Sequence, residues 1–108
     1  VSETQITAIA EAARKASRTL AGLSSAAKTK ALHDMAASLR QGAEYLKQEN
    51  SRDLEAARAT GLSAAMIDRL TLSGAVIEGM ARAIEEIADL PDPVGTITGM
   101  TRRPNGLL

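Results

Sequence analysis

Cysteine, phenylalanine and tryptophan are absent from this 108-residue sequence, and tyrosine occurs once, as Tyr45. The missing cysteine excludes disulfides, thiolate metal ligands and a cysteine nucleophile within these residues, and it fits a reducing compartment. The missing aromatics leave no platform for stacking on bases. Thirteen basic side chains are balanced by thirteen acidic ones. A net charge of zero removes the general electrostatic attraction to nucleic acid or to an anionic membrane surface, so neither is expected as a partner. No apolar run approaches the roughly 18 residues that a membrane span requires. The opening VSETQITAIAEAARKA has no basic segment leading into an apolar core, so no secretory signal is expected and a cytoplasmic location is. The first residue is Val1 rather than methionine, from which we expect processing or trimming.

What is abundant is alanine. The chain has 21, alongside 26 Leu, Ile, Val and Met together. Alanine favours helix but buries little area, so the larger aliphatic side chains must carry the core. Small side chains let helices approach closely yet fill a core poorly. We expect a modest stability margin, and a core that depends on another surface for its completion.

Periodicity predicts about five helices with short connections, which favours antiparallel neighbours. The first spans Glu3 to Ala21, with Ser2 and Gln5 at capping-box spacing and Gly22 as its stop. Ile6, Ile9, Ala13, Ala16 and Leu20 recur at steps of three and four, so one narrow face is expected to be buried. Ser24 or Ser25 caps a second helix over Ala26 to Arg40, with a stripe of Leu32, Met35, Ala36 and Leu39. Gly42 is a weak break. A third helix then runs to Ala59, with Leu46, Asn50, Leu54 and Ala57 on one face and Thr60-Gly61 closing it. Asn50 is read as a polar group at the edge of that face, because a buried amide needs partners.

Ser63 caps a short helix from Ala64 to Leu70 that presents Met66, Ile67 and Leu70. Thr71 or Ser73 starts the fifth, whose stripe is Ile77, Met80, Ile84 and Ile87 and which ends near Asp89. Pro91 and Pro93 forbid further helix. Beyond them VGTITGMT, Val94 to Thr101, is rich in β-branched residues and lacks a helical period, so a strand is predicted. Asn105-Gly106 then signals a type I′ hairpin turn, both central residues of which need positive φ. The fold class is mainly α with a C-terminal β-strand and the start of a hairpin.

No constellation of residues spells an active site. His33 is the single histidine; Lys30 and Asp34 are near it in sequence but make no ligand set, so it reads as a helix-surface residue. Glu78, Glu85, Glu86 and Asp89 make the fifth helix acidic. Adjacent residues there point in different directions, and a solvated face is expected rather than paired acid-base chemistry. Ser24-Ser25 has no accompanying base motif and reads as a cap. Arg102-Arg103 could hold a phosphate or carboxylate, but beside a turn two charges serve as edge protection. Gly95 and Gly99 spell no phosphate loop and read as strand relief or bulge positions. We expect no catalytic, cofactor-binding or metal-binding residue in this chain.

Three stretches taken together carry a resemblance: ENSRDLEAARATGLSAAMIDRLTLS at 49–73, IEGMARAIEEIADLPDPVG at 77–95 and RRPNGL at 102–107. With LSSAAKTKALHDMA at 23–36, their order and spacing resemble the N-terminal region of gamma-glutamyl phosphate reductase, also called glutamate-5-semialdehyde dehydrogenase. The resemblance covers nearly the whole chain. It implies an α/β fold of the aldehyde-dehydrogenase-like superfamily, several times longer than this chain, with a cofactor domain, a catalytic domain and an oligomerisation hairpin. It also implies NADPH-dependent reduction of L-glutamate 5-phosphate to the semialdehyde with release of phosphate, a step of proline biosynthesis. The implied chemistry uses a cysteine nucleophile, and this sequence has none.

No catalytic or cofactor-binding position of the family therefore maps onto these residues, and the chain alone is expected to be inactive and to bind no NADPH. The resemblance implies that 1–92 form the helical segment of the cofactor-binding domain and 93–108 the first strand and turn of a truncated hairpin. The partners implied are the remainder of the parent enzyme and further copies in a homo-oligomer. Two other readings compete: a free-standing helical protein-interaction module, and the reductase half of a bifunctional enzyme that also carries a glutamate kinase. The DNA past Leu108 discriminates, because an in-frame continuation with a strand, a VPLG-like segment and a later cysteine supports the reductase fragment, and a stop codon sinks it. With its apolar faces and strand uncovered, the chain is expected to self-associate or to be marginally stable.

Overall fold

A computed structural model describes residues 2–107. These residues form five α-helices: α1 (Glu3–Ala21), α2 (Ser25–Gln41), α3 (Ala43–Ala59), α4 (Ala64–Leu70) and α5 (Gly74–Ala88). The boundaries follow from local chemistry. Ser2 and Gln5 form the reciprocal capping box: the Gln5 amide donates to Ser2 Oγ at 3.2 Å and the Ser2 amide to Gln5 Oε1 at 2.8 Å. Ser63 and Ser73 cap α4 and α5 by accepting from the amides of Met66 and Val76. Thr71, the other candidate start for α5, instead ends α4 and donates its hydroxyl to Ile67 O. Gly42 separates α2 from α3 with φ −90° and ψ 8°, a small departure from helical geometry.

The end of α3 shows why Thr60-Gly61 stops it. Gly61 adopts φ +80°, its amide donates to Arg58 O, and the Leu62 amide reaches back to Ala57 O. Those two bonds and the left-handed glycine make a Schellman motif, which satisfies carbonyls that the helix end would leave open.

The chain divides into two compact units. The larger is Ala26–Leu90, in which α3 packs on both α4 and α5. Its buried apolar residues are Ala36, Leu54, Ala57, Ile77, Ala81 and Ala88, and Ala36 and Ala81 have no accessible surface at all. The predicted stripe of α5 is therefore rotated. Ile77 is buried, but Met80 and Ile87 are exposed, and alanines occupy the inner positions. Alanine lets the backbones come close, so the large side chains flank the contact instead of filling it. In α2, likewise, Ala36 is buried and Met35 is exposed.

The smaller unit joins the residues up to Ser25 with those from Pro91 onward. It corrects two expectations. First, α1 contains no buried residue: Ile6, Ile9 and Leu20 are each more than half exposed. Its amphipathic face is present but uncovered. Second, 94–101 form no strand, and no strand exists among the described residues. A strand is held by cross-strand hydrogen bonds, and no partner segment pairs with these residues.

Val94 and Gly95 lie instead in a turn closed by the Thr96 amide on Pro93 O, with Gly95 at φ +84°, the sign a type II turn requires there. The later turn does form, but not as type I′. Its bonds are Gly106 N to Arg103 O at 2.9 Å and Arg103 N to Leu107 O at 2.7 Å, and only the glycine has positive φ. Pro104 presets a negative φ at the first central position, so a type I turn followed by a left-handed glycine replaces the mirror-image form.

Candidate functional site

The Ala26–Leu90 unit carries two contrasting surfaces built on the same helices. The first is an ion cluster. The helical period puts Glu78 and Glu85, seven residues apart, on one side of α5. The Arg40 guanidinium from α2 reaches both: Nε and Nη2 donate to Glu78 at 2.9 and 3.0 Å, and Nη1 and Nη2 to Glu85 at 2.9 and 2.7 Å. Arg82 adds a longer contact to Glu78, 3.4 Å. Hydrogen bonding to Arg40 holds both carboxyls below their ordinary value of 4.5, against the opposing effect of partial desolvation. The same bonds raise the guanidinium further above its already high value. The cluster is more than the solvated acidic face that adjacent-residue reasoning predicts; the spacing of seven was the signal that identifies it.

The second surface is an open apolar groove of about 680 Å³ between α2, α3 and α5. Met35 and Leu39 of α2, Tyr45 and Leu46 of α3, and Met80 and Ile84 of α5 line it, together with Asp34, Ser38 and Gly42. Among the described residues that line it, Asp34 is the only charged one. Tyr45 and Met35 are 65% and 52% exposed, so the groove is open to solvent along its length.

Asn50 corrects its assignment to a polar edge. It is buried, and both halves of its amide are used: Nδ2 donates to Leu70 O at 2.8 Å and Oδ1 accepts from the Leu72 amide at 2.8 Å. The side chain thus ties α3 to the α4–α5 connection, standing in for a backbone partner on two main-chain groups.

The remaining candidates are dispersed. His33 lies exposed on α2. Lys30 pairs with Asp34 along the same helix at 2.6 Å. Ser25 is the first residue of α2 rather than its cap, and its Oγ donates to Asp92 Oδ2 at 2.9 Å. Ser24 precedes that helix. Glu86, Asp89, Arg102 and Arg103 are exposed, and neither Glu86 nor Asp89 lines the groove. Gly99 has open space around its Cβ position. Among the described residues no group of His, Asp or Glu is arranged to hold a metal, and no helix is long and apolar enough to cross a membrane.

These features define a class: a helical segment, capped and clamped internally, that presents uncovered apolar surface. No family model matches the chain. Among curated proteins it is 56% identical over 104 residues to a gamma-glutamyl phosphate reductase of Geobacter sp. (strain M21). It is 55% identical over 104 residues to that of Citrifermentans bemidjiense, and 52% over 99 residues to that of Desulfatibacillum aliphaticivorans. The alignments take in 92 to 96% of this chain but only 24 to 25% of each relative. The chain spans about a quarter of the length of the curated relatives it matches. It is homologous to the N-terminal quarter of the gamma-glutamyl phosphate reductases.

Proposed function

We propose that this chain serves as the N-terminal helical part of an NADPH-dependent reductase that converts L-glutamate 5-phosphate to L-glutamate 5-semialdehyde in proline biosynthesis. The observation that carries the reading is 56% identity over 96% of the chain to a protein named for that activity. The uncovered apolar surface supports it, since helices that belong to a larger body leave part of their apolar area for that body to cover.

In this reading the reacting groups lie outside these residues. The chain has no cysteine to act as the nucleophile. Its contribution is structural: 1–92 form a helical segment of the cofactor-binding domain, and 93–108 become the first strand and turn of an oligomerisation hairpin once a second strand pairs with them. The parent is a cytoplasmic homo-oligomer, and the remainder of its chain is the principal partner. The loop around Pro104 is already closed on itself by the Arg103 and Leu107 backbone, so a following segment would leave it in hairpin register.

The test is a chimera in which this chain replaces the matched N-terminal quarter of the Geobacter sp. (strain M21) reductase. NADPH consumption with glutamate 5-phosphate is measured for the chimera and for the 108-residue chain. Activity in the chimera and none in the chain is expected. An inactive chimera that folds and assembles would overturn the reading, and turnover by the chain alone would overturn its non-catalytic role.

A further inference from the structure

The two surfaces of the Ala26–Leu90 unit are not equivalent. On α5, the buried line of Ile77, Ala81 and Ala88 separates Glu78 and Glu85 on one flank from Met80 and Ile84 on the other. On α2, Ala36 divides Arg40 from Met35 and Leu39 in the same way. One flank thus carries the charge cluster that links α2 to α5 with both its signs satisfied, a surface suited to water. The other is open, wide and almost uncharged.

We propose that this groove is the seat on which the remainder of the reductase docks, and that the Arg40 flank stays in solvent. The inference rests on the reading of the chain as the reductase's N-terminal part. The relatives extend about three residues beyond the match for every one within it, so chain outside these residues is available to cover the groove. The chemistry of the lining specifies the occupant as a convex apolar element, a helix face or sheet face without a charge at its centre, because Met35, Leu39, Tyr45, Leu46, Met80 and Ile84 offer no counter-ion and Asp34 is already paired with Lys30. A second copy is a poorer occupant. A two-fold interface would set the same concave surface against itself and leave the groove unfilled.

Met35 and Met80 report on the groove directly, since thioether oxidation follows exposure. The free chain and the chimera are treated with peroxide, and each methionine is followed by mass spectrometry. Both should oxidise readily in the free chain and on the order of tenfold more slowly in an active chimera. Met80→Lys should leave the thermal melt of the free chain nearly unchanged, because Met80 is 43% exposed, and should abolish activity in the chimera. An active chimera in which both methionines oxidise as fast as in the free chain overturns the groove assignment and leaves the reductase reading standing. A folded but inactive unsubstituted chimera overturns that reading and the assignment with it. A free chain that sediments as a dimer with both methionines already protected makes a second copy the occupant, and that also overturns the proposal.

Discussion

Replacing Asn50 by alanine tests whether one side chain holds α4 and α5 in place. The change removes two hydrogen bonds of 2.8 Å, one from Nδ2 to Leu70 O and one from the Leu72 amide to Oδ1. Asn50 itself is 8% exposed, and Leu72 is half-buried, so water reaches the orphaned groups only in part. Each bond is worth about 1 kcal/mol when water replaces it, and the loss rises to as much as about 3 kcal/mol when a group is left unpaired. Two such bonds at a partly wet site give about 2–4 kcal/mol. For a helical unit of this size that lowers the melting temperature by roughly 10–30 °C. Urea unfolding followed by helical circular dichroism measures the global effect, and hydrogen exchange at the Leu72 amide measures the local one.

Asn50→Asp refines the test. The introduced carboxylate still accepts from the Leu72 amide but faces Leu70 O without a donor, and it is buried. Its folded-state pKa should therefore be raised above the unfolded value. A raised folded value means the stabilising, protonated form is fully present below the unfolded pKa and is lost as pH rises through the folded pKa. The Asp variant should thus be at least as weak as the Ala variant at neutral pH and should gain on it under acid. An Asn50→Ala chain that melts within a degree or two of the original, with unchanged protection at Leu72, would refute the reasoning.

Arg40→Gln should destabilise the chain at neutral pH. Because Glu78 and Glu85 are held below 4.5 in the folded state, the advantage of the original chain is fully present above that value and fades as pH falls through the lower folded values. The urea midpoints of the two chains should therefore converge in acid, and added salt should narrow their gap, since the cluster is about one-third exposed. Gly61→Ala should cost about 1 kcal/mol from the left-handed backbone alone, as nothing lies within 4 Å of the added Cβ. Gly61→Asn should cost less, and equal midpoints for the Ala variant and the original chain would count against the Schellman assignment.

The helices and most of their ends were legible because they depend on neighbours in sequence. A serine three residues before an amide it can cap, or a glycine where φ must be positive, carries its reason locally. Features that depend on partners distant in sequence were not legible. Asn50 looked like an edge residue because its partners, Leu70 O and the Leu72 amide, are contributed by a connection some twenty residues away. Glu78 and Glu85 looked solvated because their counter-ion comes from another helix. Val94 to Thr101 has strand composition, but β-branching confers only a preference, and pairing is what makes a strand. Asn105-Gly106 taken alone suits a type I′ turn, and Pro104, as the first central residue, excludes it.

By itself the sequence determined the five helices, the capping box of α1, the serine cap of α4, the absence of a cysteine nucleophile and the resemblance to the reductases, since each rests on residue identity and short spacing. Only the tertiary structure decided which side chains are inside. Ala36 of α2 and Ala81 and Ala88 of α5 are buried, while Met35, Met80 and Ile87 lie outside. That choice turns Met35, Met80 and Tyr45 outward, puts the Arg40 cluster on one flank, and leaves the other as an apolar groove.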